Sequence, residues 1–172
     1  MRPTAVATAL RTALQTPGHP PVFLWGPPGA GKSSVVSQVT VGSQRRLLDV
    51  RAALLDPTDL RGIPIAKDGL AVWLSPSFLP PSKSVEKWVL FLDELNLAPL
   101  LVQQSCYQLV LVRKVGEYTL PADCFIIAAG NRAEDRAGIR DMPAPLANRF
   151  LHIDFEVSLD DWANWALEHG VS

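Results

Sequence analysis

The stretch from Val22 to Ser34, VFLWGPPGAGKSS, restricts what this chain can fold into more than any other. Its apolar run Val22-Phe23-Leu24-Trp25 is long enough for a buried strand. The next eight residues, Gly26-Pro27-Pro28-Gly29-Ala30-Gly31-Lys32-Ser33, fit the phosphate-binding pattern G-x-x-x-x-G-K-[ST]. A loop between a strand and a helix can wrap its backbone N–H groups around a triphosphate. A helix starting near Gly31 directs its unpaired N–H groups and positive dipole end at the same anion. Glycines let the backbone approach closely and take positive φ, Lys32 adds a point charge on the β- and γ-phosphates, and the Ser33 hydroxyl can ligate Mg²⁺. With Ser34, residues 26–34 form the candidate nucleotide site. A Gly/Pro-rich turn that binds nothing is the competing reading, and it leaves the agreement of strand, spacing, Lys and Ser unexplained.

Such a loop needs a sheet behind it, and 172 residues with 48% hydrophobic content suit one compact α/β domain over residues 1–172. The 16 basic and 17 acidic residues give a formal charge of −1, which offers no global basic field for nucleic acid or anionic lipid, although a local basic strip stays open. Cys106 and Cys124 sit in apolar segments without metal-ligand spacing, and His19, His152 and His169 are scattered. Buried reduced thiols are therefore expected rather than a disulfide or a zinc site. No charged-then-apolar leader and no apolar run of about 18 residues occurs, so the cytoplasm is the default location and no membrane contact is expected.

Along the chain, Val6, Leu10 and Leu14 make a helical stripe over 4–16 that Pro17-Gly18-His19-Pro20-Pro21 ends. A helix over 32–41 would turn Val35, Val36 and Val39 inward, and Leu47 to Val50 fits a second strand. Asp56 to Gly62 is a loop by composition. Ile63–Ala66 and Leu70–Leu74 read as a small hairpin projecting from the core. Trp88 to Leu92 is apolar throughout, as a strand buried on both faces requires. A helix from Pro99 to about Arg113 follows, with Arg113 and Lys114 suiting its negative end. Cys124 to Ala129 is another fully apolar strand, and Phe150, Ile153, Phe155 and Val157 suggest a fifth. A last helix, within 158–170, has Ser158 as N-cap and Trp162 and Trp165 on its apolar side.

The strand at Trp88 delivers Asp93-Glu94 at its carboxyl end, where open α/β sheets place ligands. Asp93 would hold Mg²⁺, directly or through water, together with Ser33, and Glu94 would polarise the water attacking the γ-phosphate. Asn131, ending the neighbouring apolar strand, can help position that water with its amide, although a strand-terminal Asn is also a good turn former.

Taken together, these motifs resemble those of the AAA+ ATPases, specifically the MoxR-like branch. GPPGAGKS at 26–33 is similar to the Walker A motif, VLFLDELN at 89–96 to Walker B, AAGNR at 128–132 to the sensor-1 region, and PLANRF at 145–150 to the end of the helix carrying an arginine finger, here Arg149. The resemblance spans about Val22 to Phe155. It implies a P-loop three-layer sandwich with a parallel five-stranded sheet in the order 5-1-4-3-2; the small helical lid with a sensor-2 Arg that members normally carry is expected to be largely missing from this sequence, which has a single helix after the fifth strand. It also implies ATP and Mg²⁺ as ligands and a homo-oligomeric ring, usually a hexamer, that hydrolyses ATP to remodel or activate client proteins. In such members a loop and hairpin insertion corresponding to Asp56–Pro80 faces the ring's pore. A partner bearing a von Willebrand factor A-type domain is common.

Trp73 and Phe78 can grip a client polypeptide in a pore, against the plainer expectation that aromatics pack on the core. Arg132, Arg136 and Arg140 are interleaved with Glu134, Asp135 and Asp141, which reads as a solvated loop. A DNA-handling motor, a nucleotide-gated scaffold without efficient turnover and a small-nucleotide kinase are the alternatives. The balanced charge weighs against the first, Glu94 against the second, and Asn131 with Arg149 against the third.

Overall fold

The computed structural model describes residues 1–132, 134, 142–168 and 170. Five strands form one parallel sheet: β1 (Val22–Trp25), β2 (Arg46–Arg51), β5 (Trp88–Asp93), β8 (Cys124–Gly130) and β9 (Leu151–Asp154). Their order is β2-β5-β8-β1-β9. Numbered among themselves and taken from the β9 edge, the five run 5-1-4-3-2. The intervening labels belong to two separate hairpins, β3 (Ile63–Lys67) with β4 (Leu70–Leu74) and β6 (Lys114–Val115) with β7 (Tyr118–Thr119).

The central strands β5 and β8 are apolar up to their carboxyl ends because both faces are covered. Along β5, Trp88, Leu90 and Leu92 enter one core and Val89 and Phe91 the other. Along β8, Ile126 and Ala128 part from Ile127 and Ala129 in the same way. Side chains alternate across a strand, so a run without polar breaks feeds two layers at once. One layer contains α1 (Pro3–Gln15) and α2 (Lys32–Gly42). The other is built from α4 (Leu100–Val112), with α3 (Pro57–Arg61) and α5 (Ala144–Ala147) beside it. α6 (Leu159–Glu168) docks at the start of α1, where the Asp161 carboxylate accepts from the Thr4 N–H at 3.0 Å and from its hydroxyl at 2.9 Å. Cys106 and Cys124 are free and buried, and burial pushes both thiols up to about 12.

Four local expectations need correcting. Asp56–Gly62 is not all loop. Pro57 opens α3, and the Asp59 carboxylate accepts the Asp56 backbone N–H at 2.7 Å, a cap too local for periodicity to reveal. The fifth strand covers only Leu151–Asp154; Phe150 and Phe155 are buried just outside it, and Val157 is exposed. Arg113 ends α4 as its left-handed C-cap residue (φ 57°), not by placing its charge on the last carbonyls. Its guanidinium donates instead to the carbonyls of Pro121 (2.6 Å) and Cys124 (2.8 Å), pinning the segment that leads into β8. On α6 the buried apolar residue is Ala166, while Trp162 is 57% exposed.

Candidate nucleotide site at the carboxyl edge of the sheet

Parallel strands end together, so the loops after β1, β5 and β8 converge at one edge. Gly26 leaves β1 with its N–H donated to Gly130 O at 3.2 Å. The chain then turns through Gly29 (φ 75°) and Gly31 (φ 93°), and Gly31 is the N-cap of α2. A Cβ at either glycine would meet nothing within 4 Å, so it is the positive φ and not crowding that calls for glycine at both positions.

Lys32 begins α2 and is buried. Its ammonium donates to Gly26 O at 2.7 Å, Pro27 O at 2.9 Å and Asn131 Oδ1 at 3.3 Å. The three acceptors hold the positive charge within the loop. Ser33, next in the helix, donates its hydroxyl to Asp93 Oδ2 at 2.9 Å. Lys32 and Ser33, adjacent in the chain, thus join the distant Asn131 and Asp93 into one connected group. Glu94 is adjacent by chain in a left-handed backbone conformation (φ 55°), with its N–H donated to Asp93 Oδ1 at 2.9 Å. For a non-glycine that conformation costs on the order of 1–3 kcal/mol, and such strain gathers at functional sites.

Asn96 was not among the residues singled out above, although it closes the stretch VLFLDELN. It is 2% exposed; its Nδ2 donates to Asn131 O at 2.7 Å and its Oδ1 accepts the Asn131 N–H at 3.3 Å. One side-chain amide therefore clamps both backbone groups of Asn131. The approach is so close that a Cβ at Gly130 would lie 2.4 Å from Asn96 Oδ1, which accounts for glycine at that position. A buried Asn two residues after an acidic pair is a legible signal, but only the fold supplies its partner.

Asp49 on β2 has its carboxyl pushed up from the ordinary value, first by partial desolvation and then by the Asp93 carboxylate, against a lowering influence from Arg51. Two neighbouring negative charges with a hydroxyl beside them are hard oxygen donors of the type Mg²⁺ accepts, and Mg²⁺ commonly takes one or two protein ligands plus phosphate oxygens and water. Ser33 and Asp93 fit that role. Among the described residues no cluster of three or more His, Cys, Asp or Glu could hold a metal by itself.

Arg149 stands apart from this group. It follows α5, is exposed, and donates its backbone N–H to Leu146 O at 3.2 Å. Among the described residues its guanidinium makes no hydrogen bond or ion pair, and Asp154, a possible local partner, pairs with Arg132 at 3.1 Å. Asp141, Arg136 and Arg140 lie outside the described residues. Of the hairpin-region aromatics, Phe78 packs against the core and Trp73 is half-buried.

A 5-1-4-3-2 parallel sheet, a glycine-rich loop capping α2, and a Ser–Asp pair beside a buried Lys–Asn contact define a P-loop nucleotide-binding protein of the AAA+ ATPase class. A family model described as an AAA domain of the dynein-related subfamily matches residues 21–150, and the chain belongs to that family. Midasin from Giardia intestinalis is 27% identical over 175 residues, covering 97% of this chain and 4% of that protein. The chain thus corresponds to a small part of that relative's length. Among solved structures, a protein from Cytophaga hutchinsonii, whose ATPase assignment is itself provisional, superposes with a TM-score of 0.65 at 19% identity, over 97% of this chain and 50% of that one. At that identity the likeness is one of fold. No helix among the described residues is long and apolar enough to cross a membrane.

Proposed function

We propose that this chain binds ATP with Mg²⁺ and hydrolyses it within a ring of like subunits, using the resulting conformational change to remodel or activate client proteins in the manner of the MoxR-like AAA+ branch. The observation that carries the reading is the connected group Lys32, Ser33, Asp93 and Asn131, with Glu94 following directly. Ser33 and Asp93 would hold Mg²⁺, which when bound would supply charge neutralisation at the phosphates. In this reading the loop amides from Gly26 to Ser33, with Pro27 and Pro28 shaping the turn and Ser34 extending the helix start, hold the phosphates. Lys32 exchanges its carbonyl partners for phosphate oxygens. Glu94 accepts a proton from the attacking water, and the Asn131 amide holds that water in line.

Arg149, exposed and without an ion-pair partner among the described residues, would complete the site of a neighbouring copy. Support for the MoxR-like branch comes from the order of the motifs and from the β3–β4 hairpin inserted between β2 and β5, whose Ile63, Leu70 and Leu74 are exposed apolar residues suited to a polypeptide client. A von Willebrand factor A-type protein is the partner this branch implies. The test is phosphate release from ATP with and without Mg²⁺, alongside the mass of the protein in each condition. Mg²⁺-dependent release with a nucleotide-dependent rise in mass is expected. Tight ATP binding without release at any protein concentration would instead favour a nucleotide-gated scaffold.

A further inference from the structure

The β1–β9 edge carries an aromatic group that the nucleotide site does not use. Phe23 and Trp25 of β1 lie on the same sheet face as Phe150 and His152, with ring centroids 4.3 Å apart for Phe23–Trp25, 5.4 Å for Phe23–Phe150 and 5.9 Å for Trp25–His152. His152 is hydrogen-bonded at both ring nitrogens, 2.7 Å from Trp25 Nε1 and 2.8 Å from Ala147 O. The two partners leave no choice of tautomer. An indole N–H only donates, so Nδ1 must accept; a carbonyl only accepts, so Nε2 must carry the hydrogen.

Ala147 is the last residue of α5, two before Arg149, and its carbonyl is one of those a helix end leaves without an intrahelical partner. It receives two donors, the His152 ring and the Phe150 N–H at 3.1 Å. Arg149 is therefore flanked on one side by a carbonyl fixed to His152 and on the other by Phe150, which is buried and set edge-on against Phe23. The backbone at Arg149 is held while its side chain is exposed. That is the arrangement a charge must have to reach a target outside its own subunit with a defined origin.

We propose that His152 is a positioning residue for Arg149: Trp25 fixes the imidazole's tautomer and plane, and the imidazole fixes the end of α5 from which Arg149 projects. Because Trp25 is joined directly to Gly26, the same contact ties a subunit's own nucleotide loop to the arginine it offers its neighbour. The inference rests on the reading of Arg149 as an arginine finger.

His152→Phe keeps a ring on the exposed edge and removes both hydrogen bonds; Trp25→Phe removes only the donor to Nδ1. Each is made alone and over Arg149→Ala, and ATP hydrolysis is followed as kcat and KM. Expected is a fall in kcat of about three- to tenfold for His152→Phe, the scale that one or two neutral hydrogen bonds support, a smaller fall for Trp25→Phe, and little change in KM. Over Arg149→Ala neither substitution should lower kcat further. Mixing His152→Phe with Lys32→Ala should recover activity, since intact loops then meet correctly held arginines from the other chain. A wild-type kcat for His152→Phe, an undiminished loss over Arg149→Ala, or no recovery on mixing would each overturn the proposal. If Arg149→Ala itself hydrolyses ATP at the wild-type rate, the finger reading falls first, and that result is distinguishable from a failure of His152 alone.

Discussion

Lys32 shows how much of this site is decided by single atoms. The ammonium is buried, and its partners include the carbonyls of Gly26 and Pro27 and the side chain of Asn131. Lys32→Ala leaves the amide cradle without its point charge, and calorimetry with ATP and Mg²⁺ should show no measurable binding; unchanged affinity would mean the loop does not work as a phosphate site. Glu94→Gln fills the same space without accepting a proton, so ATP should remain bound while phosphate release slows by about 10²- to 10⁴-fold. Loss of ATP binding in that variant would assign Glu94 a structural role instead. Asn96→Ala strips both partners from the buried backbone of Asn131. Leaving buried polar groups unpaired costs on the order of 1–3 kcal/mol, which a urea titration would read as a lower midpoint, and hydrolysis should slow more than ATP affinity falls. Full activity with native stability would show the clamp to be idle.

Among the elements, the β3–β4 hairpin stands outside the main sheet, as the shorter β6–β7 hairpin does. Its strands pair with each other in register from Ile63 opposite Leu74 to Lys67 opposite Leu70, and neither joins the main sheet. Replacing Ile63–Leu74 with a short Gly/Ser link should leave solubility and ATP binding intact and impair action on a client. An insoluble or ATP-blind product would make the hairpin a core element. α4 is the opposite case, since Val102, Cys106 and Leu109 are fully buried in the larger core and cannot be shortened without leaving a cavity.

At the scale of the whole molecule, substituting Arg149 tests the proposed ring against a self-sufficient subunit. Arginine fingers supply about 10³ to 10⁵ in rate in well-studied phosphoryl transfers, so Arg149→Ala should bind ATP normally and hydrolyse it slowly. Mixed with Lys32→Ala it should regain activity, because an intact loop on one chain can meet an intact arginine on another. No recovery in assemblies of confirmed mass would reject action in trans, as would a wild-type specific activity that does not change with concentration.

Much of this was legible in the sequence, for a physical reason. The loop from Gly26 to Ser33 needs its glycines, Lys and Ser at fixed offsets because one backbone curve must surround one phosphate chain, and that constraint is local. The strands Trp88–Leu92 and Cys124–Ala129 are apolar throughout because two layers cover them, and apolarity is also local. Tertiary structure alone decided the pairings. That Asn96 clamps Asn131, that the Arg113 guanidinium reaches the carbonyls of Pro121 and Cys124, that α3 forms from five residues, and that His152 lies between Trp25 and Ala147 all depend on contacts between distant or weakly patterned residues. A hydrogen bond between such residues leaves no periodicity in the chain. Its partner is set by which strand ends the parallel order brings to the same edge, and that order is fixed only when both faces of the sheet are packed.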